Sequence, residues 1–308
     1  MMRDLRIIFM GTPEFAVPSL EILIQNGYRV VAVVTAADKP AGRGQKLTPS
    51  PVKECALRHR LPVLQPVNLK SPAFLDELKS YQANLQVVVA FRMLPEVVWS
   101  MPALGTFNLH GSLLPDYRGA APINWAIIRG EKETGVTTFF LKHEIDTGSI
   151  IFQEREPILN HDTAGSVYER LMHKGADLVL KTVKAIEAGN APMVPQPQPH
   201  ENTHAPKIYK ETCQINWDQP TTSVRNFIRG LSPYPGAWTM INGKTIKVLN
   251  ARAVQRSINP PEKPGDWESD QKIFIRFATA DGYLDITDFQ PEGKKRMTPE
   301  EFFRGNKL

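Results

Sequence analysis

The first 110 residues alternate short apolar runs with amphipathic segments, an order that few folds accommodate. Residues 5–10, 29–35, 85–90 and 105–109 are rich in Val, Ile and Phe, which predicts strands buried on both faces. Between them, residues 15–25, 51–60 and 71–80 read as helices, the last with Ser71 as N-cap and Pro72 in its first turn. Strand, helix, strand repetition predicts the α/β class, with a Rossmann-like, doubly wound and mostly parallel sheet. Two further strands over 135–141 and 149–156 precede a long helix over 163–188.

The texture then changes. Residues 191–206 contain Pro192, Pro195, Pro197, Pro199 and Pro206, which stiffens the chain, excludes a helix and reads as a linker. Beyond it, short strands over 237–241, 245–253, 272–278 and 283–289, with Asn242-Gly243 as a hairpin turn, predict a second, smaller C-terminal β-barrel of OB-like form. The expected division is a first domain over 1–190, a linker over 191–206 and a barrel over 207–308, consistent with the length of 308 residues.

Cys55 and Cys213 form no C-x-x-C pair, so neither a disulfide framework nor a thiolate zinc site is expected. No apolar run reaches the roughly 18 to 20 residues of a membrane span, and the expected compartment is a reducing cytoplasm. His200-Glu201-Asn202-Thr203-His204 spells a metalloprotease string, but the prolines on both sides deny it the helix that would put both histidines on one face. Gly243-Lys244-Thr245 lies in a hairpin and lacks the earlier glycine of a phosphate loop. Gly11 follows the first strand but Thr12-Pro13-Glu14-Phe15 supplies no second or third glycine, so a dinucleotide is not expected.

Charge is unevenly placed. The chain has 37 basic and 32 acidic side chains, net +5. Residues 207–308 hold 16 basic and 12 acidic residues, and residues 35–60 hold six basic residues against Asp38 and Glu54, so each segment is +4 and the remainder is −3. Two concentrated basic regions suit a polyanionic partner better than the small total does.

The strand over 105–109 runs into Asn108-Leu109-His110-Gly111-Ser112-Leu113-Leu114-Pro115. Ligands of open α/β sheets bind at the carboxyl ends of strands, and the two-residue period puts Asn108 and His110 on one side of this one. Asp146-Thr147-Gly148 occupies a turn, and an Asp that orients an imidazole would complete a set of three. On spacing alone, a packed strand-end histidine and an ordinary Asp turn account for the same residues.

These strings, with Tyr117-Arg118-Gly119-Ala120-Ala121-Pro122-Ile123, Gly11-Thr12-Pro13-Glu14-Phe15 and the loop Lys39-Pro40-Ala41-Gly42-Arg43-Gly44-Gln45-Lys46, resemble the signature of the 10-formyltetrahydrofolate-dependent formyltransferases over nearly the whole chain. The resemblance implies Asn108, His110 and Asp146 as catalytic residues. It places Ser112, Leu113, Leu114 and Pro115 along the folate site, with Phe91 and Arg92 bordering the pterin. The family pattern departs at Phe91-Arg92, where it has Tyr-Gly and one more residue before Leu-Pro.

The basic loop and the C-terminal domain together resemble the branch whose acceptor is the methionine of an initiator tRNA, and imply Lys39, Arg43 and Lys46 as tRNA contacts. The same resemblance implies 10-formyltetrahydrofolate as formyl donor; no metal is required, no membrane is expected, and two domains closing on a large tRNA make a monomer adequate. A formyltransferase for a small amine, such as a nucleotide-linked amino sugar, and a 10-formyltetrahydrofolate hydrolase are the alternatives. The former would not need the basic loop, and the latter would release formate without any amine.

Overall fold

A computed structural model describes residues 3–41, 46–144, 146–201, 203–254 and 263–308. In chain order its elements are β1 (Arg6–Gly11), α1 (Val17–Gln25), β2 (Arg29–Val34), β3 (Lys39–Ala41), β4 (Lys46–Thr48), α2 (Pro51–Arg58), β5 (Val63–Leu64), α3 (Pro72–Ser80), β6 (Leu85–Val89), α4 (Glu96–Trp99), β7 (Thr106–His110), α5 (Pro122–Ile128), β8 (Glu133–Phe140), β9 (Ile150–Pro157) and α6 (Ala164–Ala188). Then follow α7 (Thr221–Gly230), β10 (Ala237–Ile241), β11 (Lys244–Val254), β12 (Trp267–Ser269), β13 (Ile275–Ala278), β14 (Tyr283–Pro291) and α8 (Pro299–Phe303).

The apolar runs become the centre of a seven-stranded sheet in the order β5-β2-β1-β6-β7-β8-β9. Its first five strands are parallel, as the doubly wound reading expects, and β8 runs antiparallel to β7. Ile7, Phe9 and Met10 of β1 and Val87 and Val89 of β6 are buried, so this part of the sheet is covered on both faces. One apolar cluster joins Ile8, Met10, Val34, Phe74, Leu78 and Val98. The α2 and α3 N-termini are fixed by serine caps: Ser50 accepts from the Lys53 amide at 3.1 Å and Ser71 from that of Phe74 at 3.4 Å.

Packing divides the chain into two compact units. The first comprises Met1–Arg118, Gly135–Glu156 and Glu169–His204, and the second Gly119–Thr134, Pro157–Tyr168 and Ala205–Leu308. The second unit therefore includes α5 and the start of α6, both of which precede the proline-rich segment. Asn124 of α5 donates to the Gly230 carbonyl at 2.8 Å, and a Cβ on Gly230 would lie 2.6 Å from Ile128 Cγ1, so the two helices meet where the side chain is absent. Buried Arg229 donates to the carbonyls of Leu159 and Asp162 at 3.2 Å each.

The second unit is built on a five-stranded antiparallel half-barrel in the order β10-β11-β14-β13-β12. Trp217 stacks on Phe277 at 4.2 Å in its core. Asn242 and Gly243, at φ +48° and +76°, make the expected hairpin turn, so Gly243-Lys244-Thr245 is not a phosphate loop. Residues 191–204 pack within the first unit, where Val194 and Ile150 exchange backbone hydrogen bonds of 2.8 and 2.9 Å.

Candidate active site

The site starts at the end of β7. Asn108 is half-buried, and among the described residues its side-chain amide meets no hydrogen-bond partner, which leaves two donors for a ligand. His110, two positions on and about 6.6 Å along the strand, is buried with 7% exposure. Its Nε2 lies 2.8 Å from the Tyr117 carbonyl oxygen. A carbonyl oxygen only accepts, so Nε2 carries the hydrogen and Nδ1 is the ring nitrogen free for chemistry. Nδ1 faces Oδ2 of Asp146 at 3.9 Å, a charge-pairing distance beyond a direct hydrogen bond.

Asp146 reaches this position by an indirect route. Because β8 is antiparallel to β7, its last residue, Phe140, pairs with Phe107, while His110 pairs with Thr137. The connection to β9 thus leaves beside Phe107 and folds back along β7 to bring Asp146 to His110. Gly148 makes the return feasible, since a Cβ there would lie 1.5 Å from the Phe140 carbonyl oxygen. Asp146 has φ +55°, and Tyr117, whose carbonyl holds His110, has φ +57°. Left-handed backbone at a non-glycine residue costs about 1–2 kcal/mol and persists where the surroundings over-determine it, as at ligand sites.

The folded-back loop is held by a residue of the proline-rich segment. Gln196 Nε2 donates to the carbonyls of Asp146 and Gly148, each at 2.8 Å. Its Oε1 accepts from Arg118 Nε at 3.2 Å and Nη2 at 2.5 Å. A glutamine between Pro195 and Pro197 gives no sequence signal of such a role.

The loop after β7 spends much of its polar capacity on itself. Ser112 is fully buried, its hydroxyl donating to the Asp116 carbonyl at 2.7 Å and its carbonyl accepting from Thr137 at 2.6 Å. Leu114 is buried with Phe139 and Ile150, and its carbonyl accepts from Gln153 at 2.8 Å. Leu113 packs over Gly135, where a Cβ would come within 2.5 Å of its side chain, and Leu113 and Pro115 keep partial exposure. Phe91 packs against the apolar cluster of the sheet. The Arg92 guanidinium donates to the carbonyls of Pro66 and Val67, tying that loop to the end of β6, so its charge is engaged by backbone.

At the metalloprotease string, no described residue is helical. His200 Nδ1 lies 2.6 Å from Asp116 Oδ2, its amide donates to Oδ1 at 2.8 Å, and Thr203 donates to Oδ1 at 3.0 Å. Burial pushes the Asp116 carboxyl up, but the His200 and Thr203 hydrogen bonds outweigh it and hold the group below the usual carboxylate range. Among the described residues, Glu21, Cys55 and His59 bring potential ligand atoms within 4.8 Å of one another. Arg58 takes the Glu21 carboxylate at 2.9 Å, and burial, then Glu21, push the Cys55 thiol up to about 11.

Of the expected RNA contacts, Lys39 is exposed in β3, paired through its backbone with Thr48 of β4. Arg43 lies outside the described residues, and Lys46 is placed by its backbone alone, opposite Ala41. In the same segment Lys53 is bound to Asp38 at 2.7 Å. In the second unit Lys247 donates to the Pro235 carbonyl at 2.9 Å, and Arg252 lies 3.7 Å from Asp285.

Residues 5–183 match the family model described as formyl transferase, and residues 207–307 the model described as formyl transferase, C-terminal domain. A methionyl-tRNA formyltransferase of Bacteroides fragilis is 53% identical, covering 98% of this chain and 95% of its own. Among solved structures, the methionyl-tRNA formyltransferase from Clostridium thermocellum aligns with a TM-score of 0.56 at 16% identity, over 80% of this chain and 93% of that one. HypX from Aquifex aeolicus in complex with tetrahydrofolic acid aligns with a TM-score of 0.66 at 20% identity, over 99% of this chain and 48% of that one. This chain thus spans about half of HypX, and at these identities the two structures speak for the fold alone.

Proposed function

The chain belongs to the formyl transferase family, and from that premise we propose that it transfers the formyl group of 10-formyltetrahydrofolate to the α-amino group of the methionine on an initiator tRNA. The observation that carries the reading is His110 held between the Tyr117 carbonyl and Asp146, with an open Asn108 amide on the same strand. These are the groups that an acyl transfer to an amine needs.

When bound, the folate supplies an activated formyl carbon on N10. The open amide of Asn108 fits this ligand, since it can donate to the formyl oxygen as negative charge develops there. His110 in its protonated form adds a second donor through Nδ1, because Nε2 is committed to Tyr117. Asp146 balances the imidazolium and accepts the proton shed by the attacking amine, for relay to the departing N10. The backbone around Ser112, Leu113, Leu114 and Pro115 lines the donor site, with Phe91 and Arg92 at the end of β6 bordering the pterin.

Lys39, Arg43 and Lys46 contact the acceptor end of the tRNA, and the second unit, with the +4 of residues 207–308, holds the rest of the stem. One chain carries both functions, so a monomer suffices. Charged tRNA places the work in the cytoplasm, and among the described residues no helix is long and apolar enough to cross a membrane.

Single-turnover formyl transfer by Asn108→Ala, His110→Ala and Asp146→Ala tests the reading. Each variant is expected to lose about 100- to 1,000-fold in rate with tRNA affinity nearly unchanged. Near-normal rates in all three would refute the site.

A further inference from the structure

Antiparallel β8 delivers the chain beside Phe107, three residues and about 10 Å short of His110. A loop that must travel back along a strand leaves carbonyls without ladder partners. Two of them, on Asp146 and Gly148, meet the same side-chain nitrogen, Gln196 Nε2, at 2.8 Å each. The NH2 group has two hydrogens, and both are used. The other end of the amide is used as well, since Oε1 accepts from Arg118.

Arg118 directly follows Tyr117, whose carbonyl fixes Nε2 of His110. The Gln196 amide therefore joins the backbone segment on one side of the imidazole to the loop that carries Asp146 on the other. Its own position is constrained, because Pro195 and Pro197 restrict the backbone and Val194 is bridged to Ile150. Glutamate in its place would present only acceptors to the two carbonyls, and asparagine would fall one methylene short.

We propose that Gln196 is a positioning residue for formyl transfer: it touches no substrate and holds Asp146 in register with His110 through the Asp146 and Gly148 carbonyls. The proposal rests on the reading of Asp146 as a catalytic residue. Such placement matters because a shift of roughly 1 Å at a reacting group can cost about 100-fold in rate.

Steady-state kinetics on the full chain, with 10-formyltetrahydrofolate and charged initiator tRNA, test it in Gln196→Glu, Gln196→Ala, Asp146→Ala and the double variant Asp146→Ala/Gln196→Ala. Gln196→Glu can still pair with Arg118, so its melting midpoint should stay within about 2 °C of the parent while kcat falls about 30- to 100-fold and both KM values move less than about threefold. In the Asp146→Ala background, Gln196→Ala should lower kcat by no more than about twofold further, because the group it positions is gone. Both Gln196 variants within about twofold of the parent, with Asp146→Ala slow, would overturn the proposal and leave the site intact. So would an equal loss from Gln196→Ala with and without Asp146. A fast Asp146→Ala would instead remove the reading beneath it.

Discussion

Nε2 of His110 donates to the carbonyl oxygen of Tyr117 at 2.8 Å, which turns Nδ1 toward Asp146 Oδ2 at 3.9 Å. This single backbone contact decides which ring nitrogen is left to face Asp146. A glutamine at position 110 could still donate to Tyr117 but offers no protonatable nitrogen. His110→Gln is therefore expected to lose about 100- to 1,000-fold in single-turnover rate while folate binding, followed by fluorescence, stays within about threefold. Loss of folate binding in step with rate would assign His110 to the donor pocket instead.

Gly148 bears on the same geometry through space. A methyl there would sit 1.5 Å from the Phe140 carbonyl oxygen, so Gly148→Ala must open the folded-back loop. The expected result is a fall in kcat at least as large as that of Asp146→Ala, together with a lower melting midpoint by circular dichroism. Gly305→Ala, where an added methyl meets open space, should leave both unchanged.

Much of this architecture was legible in the sequence, because both-face burial and caps are local signals. The apolar run at 85–90 became β6 (Leu85–Val89), and Ser71 caps α3 as its spacing implied. The strand expected over 272–278 is shorter in the structure, since β13 begins at Ile275 after a turn in which Asp270 accepts from the amides of Lys272, Ile273 and Phe274. The amphipathic helix α7 starts after Pro220 without a side-chain cap to announce it, and the packing of α5 on it is a long-range fact.

The site divides in the same way. The placement of Asn108 and His110 on one side of β7 follows from strand period, while their roles and that of Asp146 are what the family resemblance implies. The Tyr117 carbonyl leaves no trace in a sequence, because every residue has one. Gln196 gives no such signal, because the prolines on both sides of it read as a linker.

Loss of stability in acid has a local source in the first unit. Burial pushes the Glu156 carboxyl up, but hydrogen bonds and charge from Lys174 and Arg170 outweigh it and hold the group below the usual carboxylate range. A carboxyl depressed by folding adds stability above its unfolded value of about 4.3, and that contribution is lost as pH falls through the lower folded value. With both cations about a third exposed, Glu156→Gln should cost about 1–2 kcal/mol at pH 7. The gap between parent and variant, measured by urea denaturation, should narrow steadily below about pH 4. A gap that does not change with pH would show that Glu156 contributes by packing.

Lys39 of the basic loop is exposed in β3. Lys39→Ala, Arg43→Ala and Lys46→Ala should each raise KM for tRNA and leave that for 10-formyltetrahydrofolate unchanged. For each phosphate contact removed, the slope of log affinity against log salt should shrink by about 0.7 to 0.9. An unchanged salt slope in all three would move the RNA footprint elsewhere.

The most direct measurement supplies 10-formyltetrahydrofolate with charged initiator tRNA, charged elongator tRNA, a nucleotide-linked amino sugar or no acceptor, and follows formylated product and released formate. The account predicts formyl-methionine on the initiator tRNA alone. A formylated amino sugar, or formate released at the same rate without any acceptor, would contradict it.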